Sequence, residues 1–137
     1  MPRSSLLRPS RARARVAAAL GALLLAVTAA CGPDAPPEPA APYTAADGSY
    51  HVPVLMADMR FEPSTIVVPE GAHLVVELEN TDGMPHDLVL PDGATSGLLS
   101  RGQKATVDVG TVTEALEGWC SVQGHRAAGM VLGISVG

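Results

Sequence analysis

Residues 73–80, HLVVELEN, alternate with a period of two. Leu74, Val76 and Leu78 fall on one face, and His73, Val75, Glu77 and Glu79 on the other. Lys104–Val109 repeats the pattern, setting Ala105, Val107 and Val109 against Lys104, Thr106 and Asp108. Met130–Val136 does so again, with Met130, Leu132, Ile134 and Val136 opposite Val131, Gly133 and Ser135. A period of two, rich in β-branched residues, marks half-buried strands. Tyr50–Ala57, Thr65–Val68, His86–Leu90 and Glu117–Ser121 are further strand candidates. Turn residues separate them: Pro69-Glu70-Gly71, Thr81-Asp82-Gly83 and Pro91-Asp92-Gly93. No segment after residue 49 carries a helical period, and Thr113–Glu117 has room for one turn only. About seven short strands predict an all-β domain over residues 49–137, a small β-sandwich or a Greek-key barrel.

Before residue 49 the pattern is different. Val16–Ala30, VAAALGALLLAVTAA, is apolar without alternation and follows an arginine-rich stretch. A basic start, a short apolar run and small residues at its end predict an export signal over residues 1–30. The run is shorter than the roughly 20 residues of a membrane-spanning helix. Thr28-Ala29-Ala30-Cys31 resembles the lipobox of bacterial lipoproteins, with Thr28 in place of the usual leucine. Cys31 is therefore the expected lipidation site, and simple cleavage after Ala30 is the alternative. Residues 31–48 hold Pro33, Pro36, Pro37, Pro39 and Pro42 among many alanines. That composition favours extended polyproline II, so this segment reads as a tether. The protein is thus expected outside the cytoplasm, on the outer face of a bacterial membrane through a lipid anchor only, or else secreted or periplasmic.

Charge supports this division. The formal net charge of the 137 residues is −5. Five of the nine basic residues lie in the first 15 positions, whereas all 14 acidic residues lie beyond position 33. The part after the leader is therefore strongly acidic, and aromatic residues make up only 3% of the chain. Nucleic acid binding needs a basic stripe or stacking platforms, and neither is present. Two cysteines, Cys31 and Cys120, make no disulfide scaffold.

Chemistry concentrates in the segment Trp119–Met130, which contains C-x4-H-x4-M: Cys120, His125 and Met130. Upstream, Met84-Pro85-His86-Asp87 puts a histidine at the start of a strand candidate. One thiolate, two imidazoles and a weak thioether are the donors of a blue-copper site. Zinc sites use cysteine, histidine and carboxylate and rarely recruit a thioether. Three of the four donors in one loop between two strands would wrap a metal at one end of the sandwich, with His86 closing it from a neighbouring loop. Gly124 and Gly129 allow that loop to turn tightly.

Phe61–Gly71 (FEPSTIVVPEG), Val75–Asn80, His86-Asp87-Leu88 and the Cys120–Met130 loop together resemble a cupredoxin. The resemblance spans about residues 50–137, and the ligand loop is most similar to the type 1 copper loop of multicopper oxidases. It implies a Greek-key β-sandwich of seven to eight strands and one type 1 copper per chain. His86, Cys120 and His125 would be equatorial ligands and Met130 the axial one. It also implies that Asp87 and Ser121 tie the two ligand loops together by hydrogen bonds, although Asp87 stands where the family often has asparagine. In the family the C-terminal ligand histidine reaches the surface through an apolar patch. Here Met84, Pro85, Pro91, Ala127 and Ala128 would form that patch, with Arg126 at its rim.

Multicopper oxidases place histidine on both sides of the cysteine, whereas here the neighbours are Trp119 and Ser121. Copper nitrite reductases use a histidine before the cysteine. His51 and His73 are the only histidines left over, and both fall inside strand candidates. The expected function is one-electron transfer by a monomeric, non-enzymatic carrier to a redox partner with a basic docking surface. A copper chaperone or buffer is the alternative, and a multicopper enzyme completed by oligomerisation is the third reading.

Overall fold

A computed structural model describes residues 37–137. The expected leader, Cys31 and the first part of the tether lie outside those residues. Among the described residues there are eight strands: β1 (Tyr43–Thr44), β2 (Tyr50–Ala57), β3 (Arg60–Glu62), β4 (Thr65–Val68), β5 (His73–Asn80), β6 (Lys104–Thr111), β7 (Leu116–Trp119) and β8 (Val131–Val136). One sheet runs β1-β2-β5-β6, with β3 also on β2; the other runs β4-β8-β7. β2 and β5 are parallel, as are β4 and β8, and the remaining pairs are antiparallel. There is no helix among the described residues. This is the β-sandwich that the alternation predicts.

The predicted inner faces fill the space between the sheets. Leu74, Val76 and Leu78 of β5 are buried, with Val52, Val54 and Met56 of β2 and Val107 of β6. Ile66 and Val68 of β4 and Leu132 and Ile134 of β8 belong to the same cluster. Phe61 heads the largest fully buried side chains. Area removed from water at about 25 cal/mol per Å² makes these the main source of stability.

Three features depart from the sequence reading. His86–Leu90 forms no ladder: His86 bridges Leu99, and Val89 bridges both Thr95 and Trp119. Leu88 and Leu90 are nonetheless buried, so the alternation reports their inward face without a continuous partner strand. β3 is a new three-residue strand. It returns along β2 through a two-residue turn in which Asp58 (φ 49°) and Met59 (φ 58°) are both left-handed, the geometry of a tight hairpin. β1 lies within the segment read as tether.

β1 is held to the sheet by its side chains as well as its backbone. Tyr43 pairs with His51 across the strands and stacks on its ring, with centroids 4.9 Å apart. The Tyr43 hydroxyl donates to Glu77 Oε1 at 2.6 Å, and His51 Nδ1 lies 2.8 Å from the same oxygen. His51 Nε2 lies 2.8 Å from the Ser49 hydroxyl, which donates to Asp47 Oδ1. Among the described residues the sheet therefore begins at Tyr43.

The hydrogen bonds from Tyr43, then from His51, hold the Glu77 carboxyl below its ordinary value. A carboxylate with a depressed folded-state pKa stabilises above its unfolded value, and that contribution is lost as pH falls through the folded one. Glu77→Gln is thus expected to lower the urea midpoint at pH 7. The gap to the native protein should close as pH falls below about 4.5. A gap that stays constant across the acid range would contradict the linkage.

Candidate metal centre

The β7–β8 ladder ends at the pair Trp119 and Val131. The next residues, Cys120 and Met130, continue it, with the Cys120 N–H donating to the Met130 carbonyl at 3.1 Å. The intervening loop folds on itself. The His125 N–H donates to the Val122 carbonyl, and the N–H groups of Ala128 and Met130 donate to the His125 carbonyl at 3.1 and 3.0 Å. Gly124 (φ 85°) and Gly129 (φ 97°) take the left-handed conformations these turns require.

His86 arrives from the β5–β6 connection. Its backbone exchanges two hydrogen bonds with Leu99, at 3.1 and 2.7 Å. Buried Asn80, at the end of β5, donates from its side-chain amide to the carbonyls of Met84 and Leu99. Asn80 thereby fixes the chain entering His86, a role the alternation along β5 does not reveal.

The ligand atoms converge. His86 Nδ1 and His125 Nδ1 are 3.1 Å apart, and Cys120 Sγ lies 3.9 and 3.5 Å from them. The three residues form the one group of three or more histidine, cysteine or acidic side chains that could hold a metal among the described residues. A point about 2 Å from all three atoms exists, which is the bond length of a first-row metal to imidazole, with thiolate slightly longer. Met130 is fully buried beside them in the chain. Two imidazoles, a thiolate and a thioether fit copper.

Electrostatics and outer bonds shape the site. Burial pushes the Cys120 thiol above its ordinary value, so a soft metal cation must displace its proton. Asp87 Oδ1 accepts from the Ser121 N–H at 2.6 Å, and its other oxygen accepts from the Ser121 hydroxyl. These bonds join the residue after His86 to the residue after Cys120. A second carboxylate, Asp82, stands 3.0 Å through Oδ2 from His86 Nε2. The same oxygen accepts from the Met59 N–H at 3.1 Å, while Oδ1 accepts from the Gly83 N–H. The hydrogen bond to His86, then that from Met59, holds the Asp82 carboxyl below its ordinary range. The sequence marks Asp82 only as a turn residue; the relevant signal is an aspartate four positions before a ligand histidine.

The residues expected to form an apolar patch are placed as follows. Met84, Pro85, Ala127 and Ala128 are exposed, on the chain entering His86 and leaving His125. Pro91 lies elsewhere, lining a small depression with Leu90, Val109 and Leu116 near the start of β7. His125 itself is 3% exposed, and the N–H groups of Ala128 and Met130 close the loop on its carbonyl. Arg126 lies 4.0 Å over the Trp119 ring and pairs with Glu117. His73 pairs with Asp108 on the surface, and His51 is engaged with Ser49 and Glu77. Neither joins the metal group.

Comparison with known proteins agrees with this fold. The sequence matches the cupredoxin-like domain family over residues 17–115, a range that ends just before the ligand loop. No curated protein matches. Among solved structures, auracyanin A, a "blue" copper protein from Chloroflexus aurantiacus, superposes with a TM-score of 0.55 at 14% identity, over 64% of this chain and 98% of its own. Reduced auracyanin from Roseiflexus castenholzii gives 0.56 at 16% identity, over 64% and 96%. A multicopper oxidase gives 0.56 at 17% identity over 72% of this chain, which spans 46% of the oxidase. At these identities the likeness is one of fold. With the sandwich, the buried donor set and a match over most of its length together, the chain belongs to the cupredoxin-like domain family, whose members bind copper.

Proposed function

We propose that the protein is a single-copper electron carrier, with His86, Cys120 and His125 holding the metal and Met130 as a weak fourth ligand. The observation that carries this reading is the convergence of three buried donor atoms on one point, with no second such group among the described residues. Bound copper would supply a one-electron couple. The residues around it do the rest. The turn bonds of the 120–130 loop and the Asp87–Ser121 link fix the ligands before metal arrives, which limits rearrangement between oxidation states. Burial of all four ligand residues excludes water and opposes ready exchange, which supports a carrier over a chaperone.

The exposed Met84, Pro85, Ala127 and Ala128 flank both ligand histidines and provide a small apolar contact surface. On a domain this acidic, such a surface suits brief encounters with a basic redox partner. The test is a copper count per chain together with the visible and EPR spectra. One copper with an intense blue band is expected; two or more coppers per chain, or one without that band, would overturn the reading.

For location, the export signal and Cys31 support a lipid-anchored protein on the outer face of the membrane. Cys31→Ala is expected to move the protein from the membrane fraction to the soluble one. Unchanged fractionation would sink the anchor.

A further inference from the structure

We propose that Asp82 is a positioning residue that sets the copper potential through His86, a role that rests on the single-copper reading above. His86 would bind metal through Nδ1, the nitrogen that faces Cys120 and His125. Its other nitrogen, Nε2, is 3.0 Å from Asp82 Oδ2, and the imidazole is completely buried. With metal on Nδ1, the Nε2 proton points at a carboxylate. That arrangement fixes the tautomer and the ring plane and makes the imidazole a stronger donor. A stronger donor with a nearby negative charge stabilises Cu(II) over Cu(I) and so lowers the potential.

The carboxylate is itself held in place. Gly83 and Met59 donate backbone N–H groups to its two oxygens, and the Asp82 N–H donates to Asn80 Oδ1. The Met59 donor comes from the tip of the β2–β3 hairpin, where both turn residues are left-handed. For a non-glycine residue that backbone conformation costs free energy, and it persists where surrounding contacts over-determine it. Here it aims an N–H at the oxygen that serves His86. The hairpin thus supports the metal site from a segment that contributes no ligand.

Asp82→Asn keeps the shape and an acceptor oxygen but removes the charge. The variant is expected to stay blue while Cu(II) affinity falls at least tenfold relative to Cu(I). For one electron that is a rise in midpoint potential of about 59 mV. Asp92→Asn, an exposed loop change of equal charge, should leave the potential where it was. A potential in Asp82→Asn equal to that of Asp92→Asn would overturn the proposal. A measurement on the native protein needs no variant. In the Cu(I) form, the His86 Nε2 proton should give a downfield NMR line protected from exchange, and a freely exchanging proton would overturn the proposal equally. A native protein with no blue copper would instead sink the carrier reading itself, so the two failures are distinct.

Discussion

Cys120→Ser is expected to abolish the intense visible band of the copper-loaded protein. The colour of such a site arises from charge transfer between thiolate sulfur and Cu(II), and a serine hydroxyl has no comparable donor orbital. A hydroxyl is also a hard, strongly protonated group, so the variant gives up the soft ligand that selects copper. The fold should survive. The Cys120 backbone keeps its bond to the Met130 carbonyl, and the Asp87–Ser121 link does not involve the sulfur. Circular dichroism and absorption spectra of both proteins after copper addition check this. An undiminished band in a folded variant would place the chromophore elsewhere.

Phe61→Ala is expected to cost the most stability of any single change. Phe61 is 1% exposed and heads the largest fully buried side chains. It is presented by a strand of three residues, so its ring does much to hold β3 against the core. Truncating such a ring typically costs about 3–5 kcal/mol, against a total of about 5–15 kcal/mol for a domain. Urea unfolding of the metal-free protein should show a much lower midpoint with an unchanged slope. Saturating copper should raise both midpoints without erasing the difference between them. A loss below about 1 kcal/mol would mean that the core collapses readily around the missing ring.

The parts of the fold that sequence reveals are those set by local alternation. β2, β4 and β5 have the bounds that their patterns imply, because each buries every second residue along its length, although Leu55 and Val75 on the other face of β2 and β5 are buried as well. β1 and β3 are too short for any period to register. They exist because β2 offers its free edge, which is a property of the assembled sheet. His86–Leu90 shows the converse: Leu88 and Leu90 alternate correctly, yet the pairing is broken into single bridges shared among Leu99, Thr95 and Trp119. The ligand residues are legible because C-x4-H-x4-M places three donors within one loop. Asn80 and Asp82 are not, since each acts through the path of a loop that returns toward His86. Pro91 illustrates the same limit in reverse, as proximity in sequence to His86 does not bring it to the metal end.

The parallel pairing of β4 with β8 has a consequence for the order of folding. Thr65 pairs with Gly133, so the second sheet lacks its central strand until almost the whole domain is available. Contacts of such sequence separation are slow to form, because the loop must close before they contribute. His86 and the 120–130 loop are brought together by the same closure, since the loop ends where β8 begins. Before that event Cys120, His125 and Met130 share one segment, but His86 is not held against them. The complete set of four donors is therefore assembled only when the second sheet closes.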